Sequence, residues 1–287
     1  MLGDAFYKDF KNDYKLKCTD KNITDDWIDL LDFRDYDEYR KDVVDFDPDI
    51  LIHMGAYTDL EFCENNIEDT YLTNTISVEY AVKIANELGI KLLYISTAGI
   101  FDGEKPTYDD WDLPDPLNHY GRSKYAGEMY VKENSDNYLI CRAGWMMGAG
   151  PGKDKKFIQK MMMQIKENKK HLYVVNDKDG TPTYTHDFAK NVKLLIEKGE
   201  EGLFNLVCEG LTSRLEVAKE LIEILGLENE IVLEEVPSDY FKQEYFADRP
   251  PSERLVNRRL NCKKLNIMRD WKTALKEYVN NYYRDYL

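Results

Sequence analysis

Apolar positions along this chain alternate between two patterns. Short, nearly unbroken apolar runs occur at Asp49–Met54 (DILIHM), Lys91–Ser96 (KLLYIS) and Tyr138–Arg142 (YLICR). Runs of this length and density read as strands buried on both faces, as in a parallel sheet. Tyr14–Thr19 is a weaker strand candidate because lysines interrupt it. Between the runs lie longer stretches of helical periodicity, above all Asn66–Leu88, which Gly89 stops. Strands alternating with helices predict right-handed crossovers and an α/β fold, a doubly wound parallel sheet covered on both faces.

After Gly148 the pattern changes. GAGPGKDKK reads as a loop, Phe157–Glu167 as a helix and Leu172–Val175 as a short strand. Thr185–Lys198 and Ser213–Leu225 read as helices on either side of a strand at Leu203–Val207, the second ending at Gly226. A strand from Ile231, a basic segment around Pro250–Pro251 and a final helix from near Trp271 follow. The division this predicts is a nucleotide-binding domain over 1–147, to which 184–209 returns, and a smaller substrate-binding lobe built mainly from 148–287.

Composition narrows the partners. The 287 residues carry a net charge of −15, and the lysines and arginines form no continuous stripe, which argues against nucleic acid. Basic clusters at Lys153–Lys156 and Arg249–Arg259 suit either a solvated face or a diphosphate. Cys18, Cys63, Cys141, Cys208 and Cys262 show no zinc or Cys-x-x-Cys spacing and read as buried small hydrophobes in a reducing compartment. Four scattered histidines offer no metal site. With no long apolar run and no signal peptide, the expected location is the cytoplasm, away from membrane.

The chemistry concentrates around NHYGRSKYAGE. Tyr120 and Lys124 stand at i and i+4 and share one helix face. There an ammonium can stabilise a phenolate and bring a weak acid, free pKa about 10, into use near neutrality. Thr97 ends an apolar strand 23 positions earlier, and ligands bind at the carboxyl ends of such strands. A hydroxyl, a phenol and an ammonium converging at that edge suit proton transfer to a carbonyl oxygen.

These residues carry a family resemblance. The chain resembles an extended short-chain dehydrogenase/reductase, and within that group the dTDP-4-dehydrorhamnose reductases. The matching stretches are HMGAYTDLEFCE (53–64), YLTNT (71–75), YISTAGIFDG (94–103), DPLNHYGRSKYAGE (115–128), CRAGW (141–145), NDKDGTPTYTHDFA (176–189) and Arg249–Pro250. The resemblance implies a Rossmann-like fold, NAD or NADP as cofactor, a nucleotide-sugar substrate, and Thr97, Tyr120 and Lys124 as the catalytic triad. It leaves a homodimer open. Two departures stand out. Where the family reads Ser-Thr-Asp-Tyr this chain has Ser96-Thr97-Ala98-Gly99, so an acid that helps to hold the sugar is absent. The family also begins with an apolar strand and a Gly-rich turn ending in Met-Leu-Gly. This sequence opens at that ending, Met1-Leu2-Gly3, so the first strand and most of the pyrophosphate-cradling turn are expected to be missing from it.

The remaining cofactor contacts expected are Gly3, Asp20, Asp32, Phe33, Gly55, Ala56 and Tyr57, together with Tyr120 and Lys124. Asp20 ends the first strand candidate, where an acid accepts hydrogen bonds from a ribose, while Lys21 beside it would attract a 2′-phosphate. Asp32 and Phe33 occupy the position where the family lines the adenine. Small residues at Gly55 and Ala56 would let backbone approach the cofactor. Ser96, Trp145 and Arg249 are the expected substrate contacts. Gly148-x-Gly150-x-Gly152 lacks the Lys-Ser/Thr of a P-loop and reads as a crossover loop. His53 reads as a packed core or a cofactor-proximal histidine, Met161–Met163 as core packing with room for one side chain near substrate, and a helix cap is one reading of Asp187.

The reaction expected is hydride delivery to a ketone carbon while Tyr120 protonates its oxygen. Thr97, with Ser96 assisting, would orient that oxygen, and Lys124 would lower the Tyr120 pKa and hold the nicotinamide ribose. Dehydratases of the superfamily need an Asp-Glu pair after the Thr. Ala98 and Gly99 stand there instead, which favours ketone reduction or C4 epimerisation. A non-catalytic subunit of the same fold, such as the regulatory subunit of methionine adenosyltransferase, is the alternative outside enzymology.

Overall fold

The computed structural model of the protein describes residues 1–287. The chain opens with helix α1 (Leu2–Phe10), then β1 (Cys18–Asp20), β2 (Ile28–Leu30) and α2 (Tyr36–Phe46). β3 (Ile50–His53) leads into α3 (Leu60–Asn65), and α4 (Ile67–Tyr71) runs through a π turn at Leu72–Ile76 into α5 (Ser77–Leu88). β4 (Lys91–Thr97), α6 (His119–Asn134) and β5 (Tyr138–Ala143) complete the first half. The second half runs β6 (Trp145–Met147), α7 (Phe157–Lys166), β7 (His171–Val175), β8 (Asp179–Gly180), β9 (Pro182–Tyr184) and α8 (Thr185–Glu197). It ends with β10 (Gly202–Asn205), β11 (Thr212–Ser213), α9 (Arg214–Leu225), β12 (Val232–Val236), β13 (Ser252–Glu253), α10 (Arg258–Lys263) and α11 (Trp271–Tyr282).

The main sheet has strand order β10-β5-β4-β3, every pair parallel, and β1 pairs in parallel with β2. Alternation along β4 assigns its two faces. Leu93 and Ile95 join a core with α1 and α8, whereas Leu92 and Tyr94 join one with α2, α5 and α6. Burial on both faces is why these strands are apolar without a break. The fold is the doubly wound, Rossmann-like α/β arrangement expected. A third core, of 19 buried residues, gathers α7, α9, α11, β7 and Tyr184 into a separate lobe, with Met161 and Met162 inside it. β10 and α8 belong to the main sheet and its core, and Leu260 of α10 also joins that core.

Local signals set the boundaries. Asp35 caps α2 by accepting from the amides of Asp37 and Glu38, and Asn118 caps α6 by accepting from the amide of Gly121. Gly89 and Gly226 close α5 and α9 with positive φ of 66° and 68°. The expected strand at Tyr14–Thr19 shrinks to Cys18–Asp20, and β2 spans only three residues, too short a run to announce itself. No helix is long and apolar enough to cross a membrane.

A buried charge pair binds α6 to the sheet. Glu128 and Arg142 have side-chain exposures of 0% and 2%. Arg142 donates to both Glu128 oxygens, at 3.0 and 2.6 Å, and Ser96 donates to the same carboxylate at 2.7 Å. Removing one partner strands the other charge in a dry interior. Glu128→Gln should therefore cost about 3–5 kcal/mol of stability, measured by urea unfolding. Replacing both residues with Met should cost far less. A Glu128→Gln loss below about 1 kcal/mol would show that Arg142 finds other compensation.

Candidate active site

The triad forms where β4 meets the start of α6. Thr97 is the last residue of β4, and its Oγ1 accepts from the amide of Gly99 at 3.1 Å, which leaves its O–H free to donate. Gly121 lets α6 come close: a Cβ there would sit 2.3 Å from the carbonyl oxygen of Gly99. This close approach sets Tyr120 against Thr97. Burial pushes the Tyr120 phenol up to about 12, while hydrogen bonding with Thr97 pulls it down. At neutral pH the phenol keeps its proton, the state required of an acid.

Lys124 is turned toward β4. Its Nζ donates to the carbonyl of Ile95 at 2.7 Å and lies 4.2 Å from the centre of the Tyr94 ring. Burial holds Lys124 down to about 7 against an ordinary 10.5, the Glu128 carboxylate opposing that fall. The lysine is thus close to half protonated at neutrality. In this state the hydrogen bond with Thr97 lowers the phenol pKa.

Asn74, which the sequence reading did not single out, anchors the floor beside the triad. The π turn brings its side chain inward, where it accepts from the Tyr57 amide at 2.8 Å and donates to the Tyr57 carbonyl at 3.1 Å and to Ser123 Oγ at 3.1 Å. A π turn is itself a frequent mark of function, but periodicity cannot reveal it. Its one trace in the sequence is YLTNT.

The expected cofactor residues line the carboxyl ends of β1 and β3. Asp20 ends β1 and accepts from the Asn22 amide at 2.9 Å, and Gly3 lies in the first turn of α1. Lys21 and Arg34 both donate to the Tyr57 hydroxyl, at 3.2 and 3.4 Å. Asp32 is held by the Arg34 side chain. The space at Gly55 is not open for a cofactor, because a Cβ there would lie 2.2 Å from the Phe33 ring. Phe33 in turn meets the edge of His53. His53 is the packed residue expected. Ser77 donates to the Thr73 carbonyl, so it accepts from His53 Nε2, and Nδ1 accepts from Tyr39. Burial lowers the His53 pKa to about 3 and keeps the ring neutral.

Two expected substrate contacts are committed elsewhere. Ser96 is 2% exposed and spends its hydroxyl on Glu128, so it supports the seam instead of the substrate. Arg249 grips both oxygens of Glu61 at 2.8 and 2.9 Å and ties the 245–255 segment to α3. Trp145 does face the site, donating from Nε1 to Glu253 at 2.6 Å. The loop after Gly148 straps across the cleft: Lys156 donates to Thr58, and Lys153 pairs with Asp4 and Asp25. Asp187 is no cap, since it receives the Arg269 guanidinium at 2.7 Å.

A doubly wound parallel sheet with a hydroxyl, a phenol and an amine at the end of a central strand defines a Rossmann-like protein of the short-chain dehydrogenase/reductase type. The RmlD substrate binding domain family matches residues 1–284, and the chain belongs to that family. It is 30% identical over 251 residues to the spore coat polysaccharide biosynthesis protein SpsK of Bacillus subtilis, covering 87% of this chain and 85% of that one. It is 29% identical over 268 residues to the dTDP-4-dehydrorhamnose reductase of Escherichia coli, covering 87% and 85%. Among solved structures, the dTDP-4-dehydrorhamnose reductase of Bacillus anthracis in complex with NADP superposes with a TM-score of 0.88 at 28% identity, covering 98% of this chain and 95% of that one.

The residues present fit a nicotinamide dinucleotide. Asp20 offers a ribose acceptor, Lys21 and Arg34 offer cations at the same end, and Tyr57 lies between that end and the triad. The buried amine of Lys124 lies two residues before the end of β4, on the Ile95 carbonyl.

The lowered Lys124 pKa carries a stability consequence. The unfolded chain binds more protons than the folded one between about 7 and 10.5. The lysine therefore costs stability at and below neutrality, and the cost fades as pH rises through that window. Lys124→Met should raise the melting temperature of the cofactor-free protein at pH 7 and lose that advantage toward pH 10. Melting curves across that range check it; a uniform fall at every pH would contradict it.

Proposed function

We propose that this chain is an NAD(P)H-dependent oxidoreductase that reduces the 4-keto group of a nucleotide-linked sugar, as a step in the synthesis of a deoxysugar for cell-surface polysaccharide. The observation that carries the reading is the meeting of a protonated Tyr120 with a Thr97 hydroxyl free to donate, at the carboxyl end of a central strand. Two donors converging there suit one ketone oxygen, which becomes an alkoxide as the carbon is reduced. A bound nicotinamide supplies the hydride.

Thr97 donates to the ketone oxygen and polarises the carbonyl. Tyr120 delivers its proton as negative charge develops, and once the oxygen is protonated the one Thr97 O–H is released to turn to the phenolate that remains. Lys124 sits beneath as a proton-exchanging amine poised near neutrality. Ala98 and Gly99 stand at the strand end where dehydratases of the superfamily carry an acid pair, which supports reduction over dehydration. The name of the Escherichia coli relative supports dTDP-4-dehydrorhamnose as the first substrate to try. Five free cysteines support action in a reducing compartment, the cytoplasm.

With dTDP-4-dehydrorhamnose, or a UDP- or GDP-linked 4-keto sugar, the protein should oxidise NADPH or NADH. Tyr120→Phe should lower turnover by about 10²-fold or more with little change in substrate affinity. Absorbance at the reduced-cofactor band measures both. A panel that consumes no cofactor would overturn the reading, and near-normal turnover in Tyr120→Phe would remove Tyr120 from its role.

A further inference from the structure

Beside the triad stand two charged groups that the proton transfer does not use. Arg214 opens α9, with its guanidinium carbon 3.6 Å from the centre of the Trp145 ring and 4.9 Å from that of Phe157. Its neighbours Arg249 and Arg254 are each paired with a carboxylate, Glu61 and Asp179. The Arg214 side chain has no hydrogen bond and no ion pair, and the Glu253 carboxylate acts on it only at longer range. A half-buried guanidinium with its donors unspent is costly. Its place in the first turn of a helix, at the positive end of the dipole, adds to that cost. Burial lowers its pKa to about 10, which leaves it charged at neutrality.

Glu253 is the second group. Its Oε2 accepts from Trp145 at 2.6 Å, while Oε1 has no donor. That open oxygen lies 3.5 Å from the point a Cβ on Gly99 would occupy. The same point is 3.3 Å from the Tyr120 ring and 3.6 Å from Thr97 Oγ1. The lack of a side chain at Gly99 therefore leaves a small space walled by Tyr120, Thr97 and Glu253. Outward from the triad the order is Glu253, Trp145, Arg214. Arg249 and Lys156 add their positive fields around Arg214, inside a chain of net charge −15.

This order matches the chemistry of a sugar nucleotide. In a pyranose, the C4 ketone lies across the ring from C1, and C1 carries the diphosphate. We propose that Arg214 binds the substrate's diphosphate and that Glu253 accepts a hydrogen bond from a hydroxyl of its sugar ring, so that the pair sets which ring is presented to Tyr120. The proposal rests on the reading of the site as one for a nucleotide-linked 4-keto sugar. Trp145 joins the two halves, its indole N–H fixing Glu253 and its face seating Arg214.

Calorimetric titration with dTDP, which has the diphosphate but no sugar, and with dTDP-rhamnose separates the two roles; UDP and a UDP-hexose run in parallel. Arg214→Met should weaken both ligands by roughly 10- to 100-fold, and Arg214→Lys should recover part of the loss. Glu253→Gln should leave dTDP binding unchanged and weaken dTDP-rhamnose by roughly 10-fold. NADPH affinity should stay near wild type in all three, and melting temperature should fall in none, rising in Arg214→Met as the unpaired charge is removed. Nucleotide binding that ignores Arg214→Met and Arg214→Lys, or a Glu253→Gln loss equal for dTDP and dTDP-rhamnose, would overturn the proposal. If the wild type reduces a 4-keto sugar while dTDP binding ignores Arg214, the proposal fails and the function stands. If the wild type reduces none while dTDP binding depends on Arg214, the function fails and the diphosphate site stands.

Discussion

The seam between α6 and the sheet governs everything else, and one carboxylate closes it. Glu128 takes hydrogen bonds from Ser96 on β4 and from Arg142 on β5, with all three side chains buried. A helix approaching a sheet this closely leaves no water to solvate a charge, so the carboxylate holds its place only through full pairing. Gly121 permits the approach at one end of the helix and the Glu128 pair fixes it near the other. Tyr120 and Lys124 are carried by the same helix. Their positions against Thr97 and Ile95 follow from the seam.

That arrangement divides the triad by solvation. Tyr120 stands half-buried at the strand end with its proton retained, and Lys124 lies wholly inside with its charge weakened. The two shifts have one cause, burial, acting on groups of opposite charge type. A phenol that keeps its proton and an amine that gives one up easily are complementary partners for delivering a proton to a nascent alkoxide. Around them, contacts assigned by resemblance to ligand binding serve the scaffold: Ser96 completes the seam, and Arg249 clamps Glu61.

Much of this was legible in the sequence because its signals are local. Apolar runs marked the central strands, Gly89 and Gly226 marked helix ends, and the i, i+4 pair marked one face of α6. The return of β10 and α8 to the main sheet was readable from strand–helix alternation. What could not be read depends on contacts between distant segments. β2 is only three residues long, too short to stand out, and the π turn that aims Asn74 differs from an α-helix by hydrogen-bond register alone. Glu253 and Arg214 lie 39 positions apart and meet only through Trp145. The charge state of Lys124 depends on burial, which no spacing reports.

The central claim is that this seam presents a ketone carbon for hydride while Tyr120 protonates its oxygen. The most direct measurement supplies the reduced cofactor deuterated at the transferring position, with a nucleotide 4-keto sugar, and reads the product by NMR. The account predicts one deuterium at C4 of the sugar and, in a parallel run with unlabelled cofactor in D2O, no deuterium at C3, C4 or C5. Solvent hydrogen at C4, or exchange at the flanking carbons, would contradict it.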